Sequence, residues 1–190
     1  MELTRRQTEL ADAALRIIAR TGMADLSFRN VANEANCSLG SVQKAFPSKK
    51  LMLTAMFAQL RESAASLPQG DPGRPDLHNW LVALIVGILP LDEQRLAAQR
   101  QGDAFAQAAL ADPEIAAAIA GSDRQVRQLL ASLIARARAE GEVPEHVDAE
   151  TTAWAVLALA QGLAAQLLYG PEAEADVRER LDIAVAALLG

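Results

Sequence analysis

Packed α-helices arranged in two domains are the architecture this sequence predicts, and three observations predict it. Alanine and leucine dominate a chain in which 51% of residues are hydrophobic and 4% aromatic, a composition that favours helix packing over sheets. Apolar residues recur at the helical spacings i, i+3, i+4 and i+7, and strand-like alternation is missing. Start and stop residues punctuate the 190 residues so as to delimit about nine helices.

The elements follow in order. Leu10, Ala14, Ile17 and Ile18 make one apolar stripe, and Gly22 is a natural left-handed stop for that first helix. Ser27 caps a second helix whose apolar positions are Phe28, Val31, Ala32 and Ala35. Asn36 stands where the chain must turn, the usual non-glycine choice for a positive φ. Ser38 caps a short third helix ending near Phe46, and Pro47 breaks it. Ser48 caps a fourth, running to about Leu67. The next stretch, Leu67 to Pro75, holds three prolines and two glycines and cannot stay helical. It marks the expected domain boundary: a head over 1–50 with a connecting helix to about 67, and a body over 76–190. The body reads as five helices, roughly 76–89, 91–110, 113–139, 149–169 and 173–189. Asp112-Pro113-Glu114 is a strong start signal, while Gly141 with Pro144, and Gly170 with Pro171, are stops.

Charge divides the chain the same way. The net charge is -6, yet residues 1–60 carry eight basic and five acidic residues, leaving the remainder strongly acidic. Every lysine lies between residues 44 and 50: Lys44, Lys49 and Lys50. A basic end on an acidic body points to a polyanionic partner at that end. Other classes lose support. The lone Cys37 excludes an internal disulfide, and His78 and His146 have no metal-like spacing, so no metal or other cofactor is expected. No nucleophile–base order or phosphate loop argues for an enzyme. No secretory leader is recognisable, and the apolar run 153–168 is too short and polar to span a membrane, so a soluble cytoplasmic protein is expected.

Two short helices joined by a tight turn, the second followed by cations, form a helix-turn-helix pattern. On a helical wheel of residues 39–46, Val42, Leu39, Phe46 and Ala45 share one side. Gly40, Gln43, Lys44 and Ser41 share the other, a face of small or polar residues with one cation and no acid. Ser41 and Gln43 can bond base edges or phosphates, and Lys44 can neutralise a phosphate. Lys49 and Lys50 open the fourth helix, where cations oppose the helix dipole. A phosphate clamp on the free amides explains them.

These residues resemble the DNA-binding domain of the TetR family of transcriptional regulators. The resemblance rests on Ala13 to Gly22, Leu26 to Ala32, Ser38 to Val42 and Phe46 to Lys49. It implies a dimeric repressor of double-stranded operator DNA, with contacts at or beside Ser27, Arg29, Ser38, Leu39, Gly40, Ser41, Gln43, Lys44 and Lys49. Lys50 joins them from its position. Gln43 and Ala45 depart from the family, which usually has tyrosine and often histidine there. A helical interaction module that has lost DNA binding is the alternative reading.

Residues 76–190 resemble the ligand-binding and dimerisation domain of the same family, in the branch containing the choline-responsive repressor BetI. The resemblance implies a small-molecule effector, whose identity the sequence does not give. Candidate pocket residues are Trp80, Arg100, Gln101, Phe105, Gln125 and Trp154. The last two helices of two subunits are expected to form a four-helix homodimer seam, with Ala160, Gly162 and Ala164 allowing close approach.

Overall fold

The computed structural model describes residues 3–65 and 77–190, and every regular element among them is helical. The helices are α1 (Arg5–Thr21), α2 (Phe28–Glu34), α3 (Leu39–Ala45), α4 (Lys49–Ala65), α5 (Leu77–Ile88), α6 (Glu93–Ala109), α7 (Pro113–Ala139), α8 (Ala149–Leu167) and α9 (Glu174–Leu189). A single 3-10 turn, Met23–Asp25, follows α1. The proline- and glycine-rich stretch expected to separate the domains lies outside the described residues.

The start signals act as their chemistry dictates. Ser27, Ser38 and Ser48 each accept a hydrogen bond from the backbone N–H three residues on, at 3.2 Å, satisfying a donor that the first helical turn leaves free. Asp112 accepts from the N–H of Glu114 at 2.9 Å, and Asp148 caps α8 through the N–H of Thr151 at 2.8 Å. The stop of α2 is a six-residue lock. Asn36 takes φ 50°, its N–H bonds Asn33 O, and the Cys37 N–H bonds Ala32 O at 2.9 Å. Gly22 differs from expectation: its φ is 84° but its ψ is -179°, an extended mirror conformation that feeds the 3-10 turn directly.

The chain divides into two compact units, and the division does not follow the linker alone. Residues Met1–Leu67 cluster with Ala97–Ala116, while Pro68–Leu96 clusters with Ala117–Gly190. In the first unit, α1 packs on α2, α3 and α4. Leu10, Ile17, Ile18, Val31, Val42, Phe46, Met52 and Met56 are all but sealed from solvent. Phe105 of α6 joins this core, its ring edge-on to Phe57 with centroids 5.4 Å apart. The side chains of Gln101 and Arg100 donate to the carbonyls of Leu15 and Ala19 at the end of α1. Polar groups from α6 thus complete the head.

In the second unit, α9 packs on α5 and α8, with Leu81, Ile85, Leu89, Ile134, Leu181 and Val185 at its centre. Ala153, Val156, Ala160, Ala164 and Leu167 are the inward face of α8. The sequence expectation for Ala160 and Ala164 therefore changes. Both methyls fill the subunit's own core, and only Gly162 of that trio faces outward. The outward stripe of α8 is instead Trp154, Ala158, Gly162 and Ala165, continued by Tyr169, all exposed at helical spacing.

Candidate nucleic-acid interface

The candidate interface is built on α3 and the residues that hold it. Val42 and Phe46 are the anchors, at 0% and 1% exposure, and they fix the roll of the helix. Leu39, expected on the inner side, is 38% exposed, because it follows the cap and projects beyond the reach of the core. Gly40, Gln43 and Lys44 are exposed, so the outer face is apolar, small, amide and cation in turn. Ser41 is half-buried, and Ala45 likewise.

The sequence reading missed part of what positions α3. Thr4 and Gln7 form a reciprocal capping box at the start of α1. The amide of the same Gln7 reaches across and donates to Ala45 O at 3.1 Å. Beside it, the Arg6 guanidinium donates to Ser41 Oγ at 3.2 Å and pairs with Glu9. One end of α1 thus grips both turns of the reading helix. The Thr-x-x-Gln spacing signals the capping box, but nothing in it points to α3.

A second brace joins α1 to α2. Glu34 accepts from Arg16 at 3.1 Å and from Arg20 at 2.8 Å. Arg20 and then Arg16 hold its carboxyl below the ordinary value of 4.5. A carboxylate with a depressed value stabilises the fold above its unfolded-state pKa and loses that contribution as pH falls through the folded value. Glu34→Gln should therefore lower stability at neutral pH. The gap to the natural protein should narrow as pH falls below 4.5, and melting curves across pH 3–7 would read it.

Ser27 is an exposed cap, and Arg29 is exposed on the first turn of α2. Lys49 is exposed at the first position of α4. Lys50, next to it, is engaged: its ammonium lies 2.6 Å from Glu114 Oε1, and Glu114 chiefly raises its pKa above 10.5.

The six effector candidates are divided between the two units. Arg100, Gln101 and Phe105 are in the first unit, committed to the contacts described above. Trp80 packs half-buried against the second unit's core, and Gln125 is exposed on α7. Trp154, 58% exposed, lines an open cleft of about 490 Å³ with Arg124, Arg127, Gln128, Glu150 and Thr151. Among the described residues no group of His, Cys, Asp and Glu has the makings of a metal site, and no helix is long and apolar enough to cross a membrane.

A tri-helical head with a short exposed helix held on buried anchors is the architecture of a helix-turn-helix DNA-binding protein. Comparison with known proteins agrees. Residues 10–56 match the family described as bacterial regulatory proteins, tetR family, and residues 77–190 match the C-terminal domain of BetI-type transcriptional repressors. The chain belongs to the TetR family, whose members are non-enzymatic, DNA-binding transcriptional repressors regulated by small molecules. It is 29% identical over 185 residues to the HTH-type transcriptional repressor KstR of Rhodococcus jostii (strain RHA1), covering 97% of this chain and 83% of that one. The HTH-type nicotine-responsive transcriptional repressor HdnoR of Paenarthrobacter nicotinovorans is 36% identical over 73 residues, and that match spans only 38% of the length of either protein. The crystal structure of a transcriptional regulator from Rhodococcus sp. Rha1 superposes with a TM-score of 0.83 at 29% identity, covering 98% of this chain and 96% of that one.

Proposed function

We propose that this chain acts as a homodimer in the cytoplasm, associated with the nucleoid when bound to an operator, that α3 is the helix placed in the major groove, and that α8 and α9 form the seam. The observation that carries the DNA reading is the outer face of α3. It presents Leu39, Gly40, Gln43 and Lys44 to solvent on a helix whose opposite side is anchored by the buried Val42 and Phe46. Gly40 allows close backbone approach, Gln43 can pair with an adenine edge, and Leu39 can meet a thymine methyl. Ser27, Arg29, Ser38, Ser41, Lys44 and Lys49 hold phosphates, with the amides of α4 adding their dipole. Lys50 belongs to the same clamp once it leaves Glu114. Gln7 and Arg6 supply positioning that the departures at Gln43 and Ala45 would otherwise weaken.

The seam is supported by Ala158, Gly162 and Ala165 on α8 and by Ile183 and Ala187 on α9, exposed apolar surface that one subunit leaves uncovered. A two-fold reader suits a two-fold site. Effector binding belongs to the second unit, and of the six candidates Trp154 is the one we retain as a contact. Binding to an operator fragment should weaken linearly on a log–log salt plot. Lys44→Ala and Lys49→Ala should each weaken binding severalfold and, with two copies per operator, reduce the slope by about 1.8. Unchanged affinity and slope in both variants would reject the clamp.

A further inference from the structure

We propose that Glu114 is an internal competitor for the DNA phosphate, holding Lys50 in reserve and so setting operator affinity. The inference rests on the phosphate-clamp reading of α4 given above. Lys50 is the second residue of α4, directly after Lys49, in the turn whose amides face the proposed phosphate. Its ammonium is nevertheless on Glu114, sixty-four residues away, at 2.6 Å. Asp112, which caps the same α7 turn, adds to the negative field felt by Lys50. One of the three lysines of this acidic protein is thereby neutralised within the unit that reads DNA.

Magnitude decides between a brace and a reserve. The side chains are 55% and 71% exposed. An exposed pair of this kind contributes little to stability and weakens with salt. It is too weak to hold α4 rigidly, but it places a carboxylate where it competes with a phosphate for the same ammonium. Glu114 also has an ordinary use, an acid in the first turn of α7, where it complements the helix dipole. That use predicts a small stability effect and no effect on DNA.

The test is operator binding by the full chain at several salt concentrations. Glu114→Gln keeps the side chain's size and removes its charge. Competition predicts binding severalfold tighter near 0.1 M salt, with a salt slope steeper by up to about 1.8, because the dimer carries two copies of the pair. The gain must vanish when Lys50→Ala is also present, since Glu114 acts through Lys50; a gain that persists means long-range repulsion and overturns the proposal. Weaker binding by Glu114→Gln would make the pair a brace. So would full affinity in the swapped variant carrying Lys50→Glu with Glu114→Lys. Unchanged affinity and slope in Glu114→Gln, with Lys50→Ala costing affinity, rejects the reserve and leaves the clamp standing. If Lys50→Ala costs nothing even beside Glu114→Gln, Lys50 meets no phosphate and its place in the clamp fails first.

Discussion

Phe46→Ala should lower the stability of the protein by about 3–5 kcal/mol and abolish operator binding. Phe46 is 1% exposed, and its N–H closes the last turn of α3 on Val42 O. Deleting a buried aromatic ring removes its transfer energy and leaves a cavity beneath the end of α3. Total stabilities of about 5–15 kcal/mol leave little margin for that loss. Urea melts followed by circular dichroism measure the first effect and anisotropy with labelled DNA the second. Gln43→Ala, on the exposed side of the same helix, should change stability by less than about 0.5 kcal/mol while still weakening DNA binding. A loss below about 1 kcal/mol for Phe46→Ala would mean that α3 is anchored elsewhere.

Ile183→Arg should convert a dimer into a monomer. Ile183 is 66% exposed in the single chain and sits on the outer face of α9. In a two-fold seam the introduced guanidinium is buried twice without a partner. At about 3 kcal/mol for each unpaired buried charge, the dimer dissociation constant rises by a factor on the order of 10⁴. Leu129→Arg is the control. Leu129 is 56% exposed and equally apolar but lies on α7, outside the two helices of the proposed seam. Sedimentation velocity should find the first variant monomeric and the second dimeric. The reverse pattern would move the interface to α7.

The helices and their ends were legible because their causes are local. Ser27, Ser38, Ser48 and Asp112 cap through side chains two or three residues from their targets, and Asn36 turns the chain through its own φ. The outer face of α3 was legible for the same reason, apart from Leu39, which sits too near the cap to follow the wheel. What escaped the sequence was the choice of partner. Periodicity marks Phe105 as apolar but does not say that it meets Phe57 rather than the body. Nothing local tells Gln101 to seek the carbonyl of Leu15, or Lys50 to seek Glu114. On α8, alanine is so frequent that every face is apolar, so the buried Ala160 and Ala164 could not be told from the exposed Ala158 and Ala165. The exposed face of α3 was thus legible by pattern, while the grip of Arg6 and Gln7 on α3 needed the three-dimensional arrangement.

The most direct test of the central claim is selection of binding sites from random-sequence DNA by the full-length protein. A two-fold-symmetric site should be enriched, with half-site centres one helical turn, about 10–10.5 base pairs, or a multiple of it apart. Its affinity should fall steeply with salt and depend on Gln43 and Lys44. Failure to enrich any sequence, or enrichment of a single unpaired half-site, would contradict it.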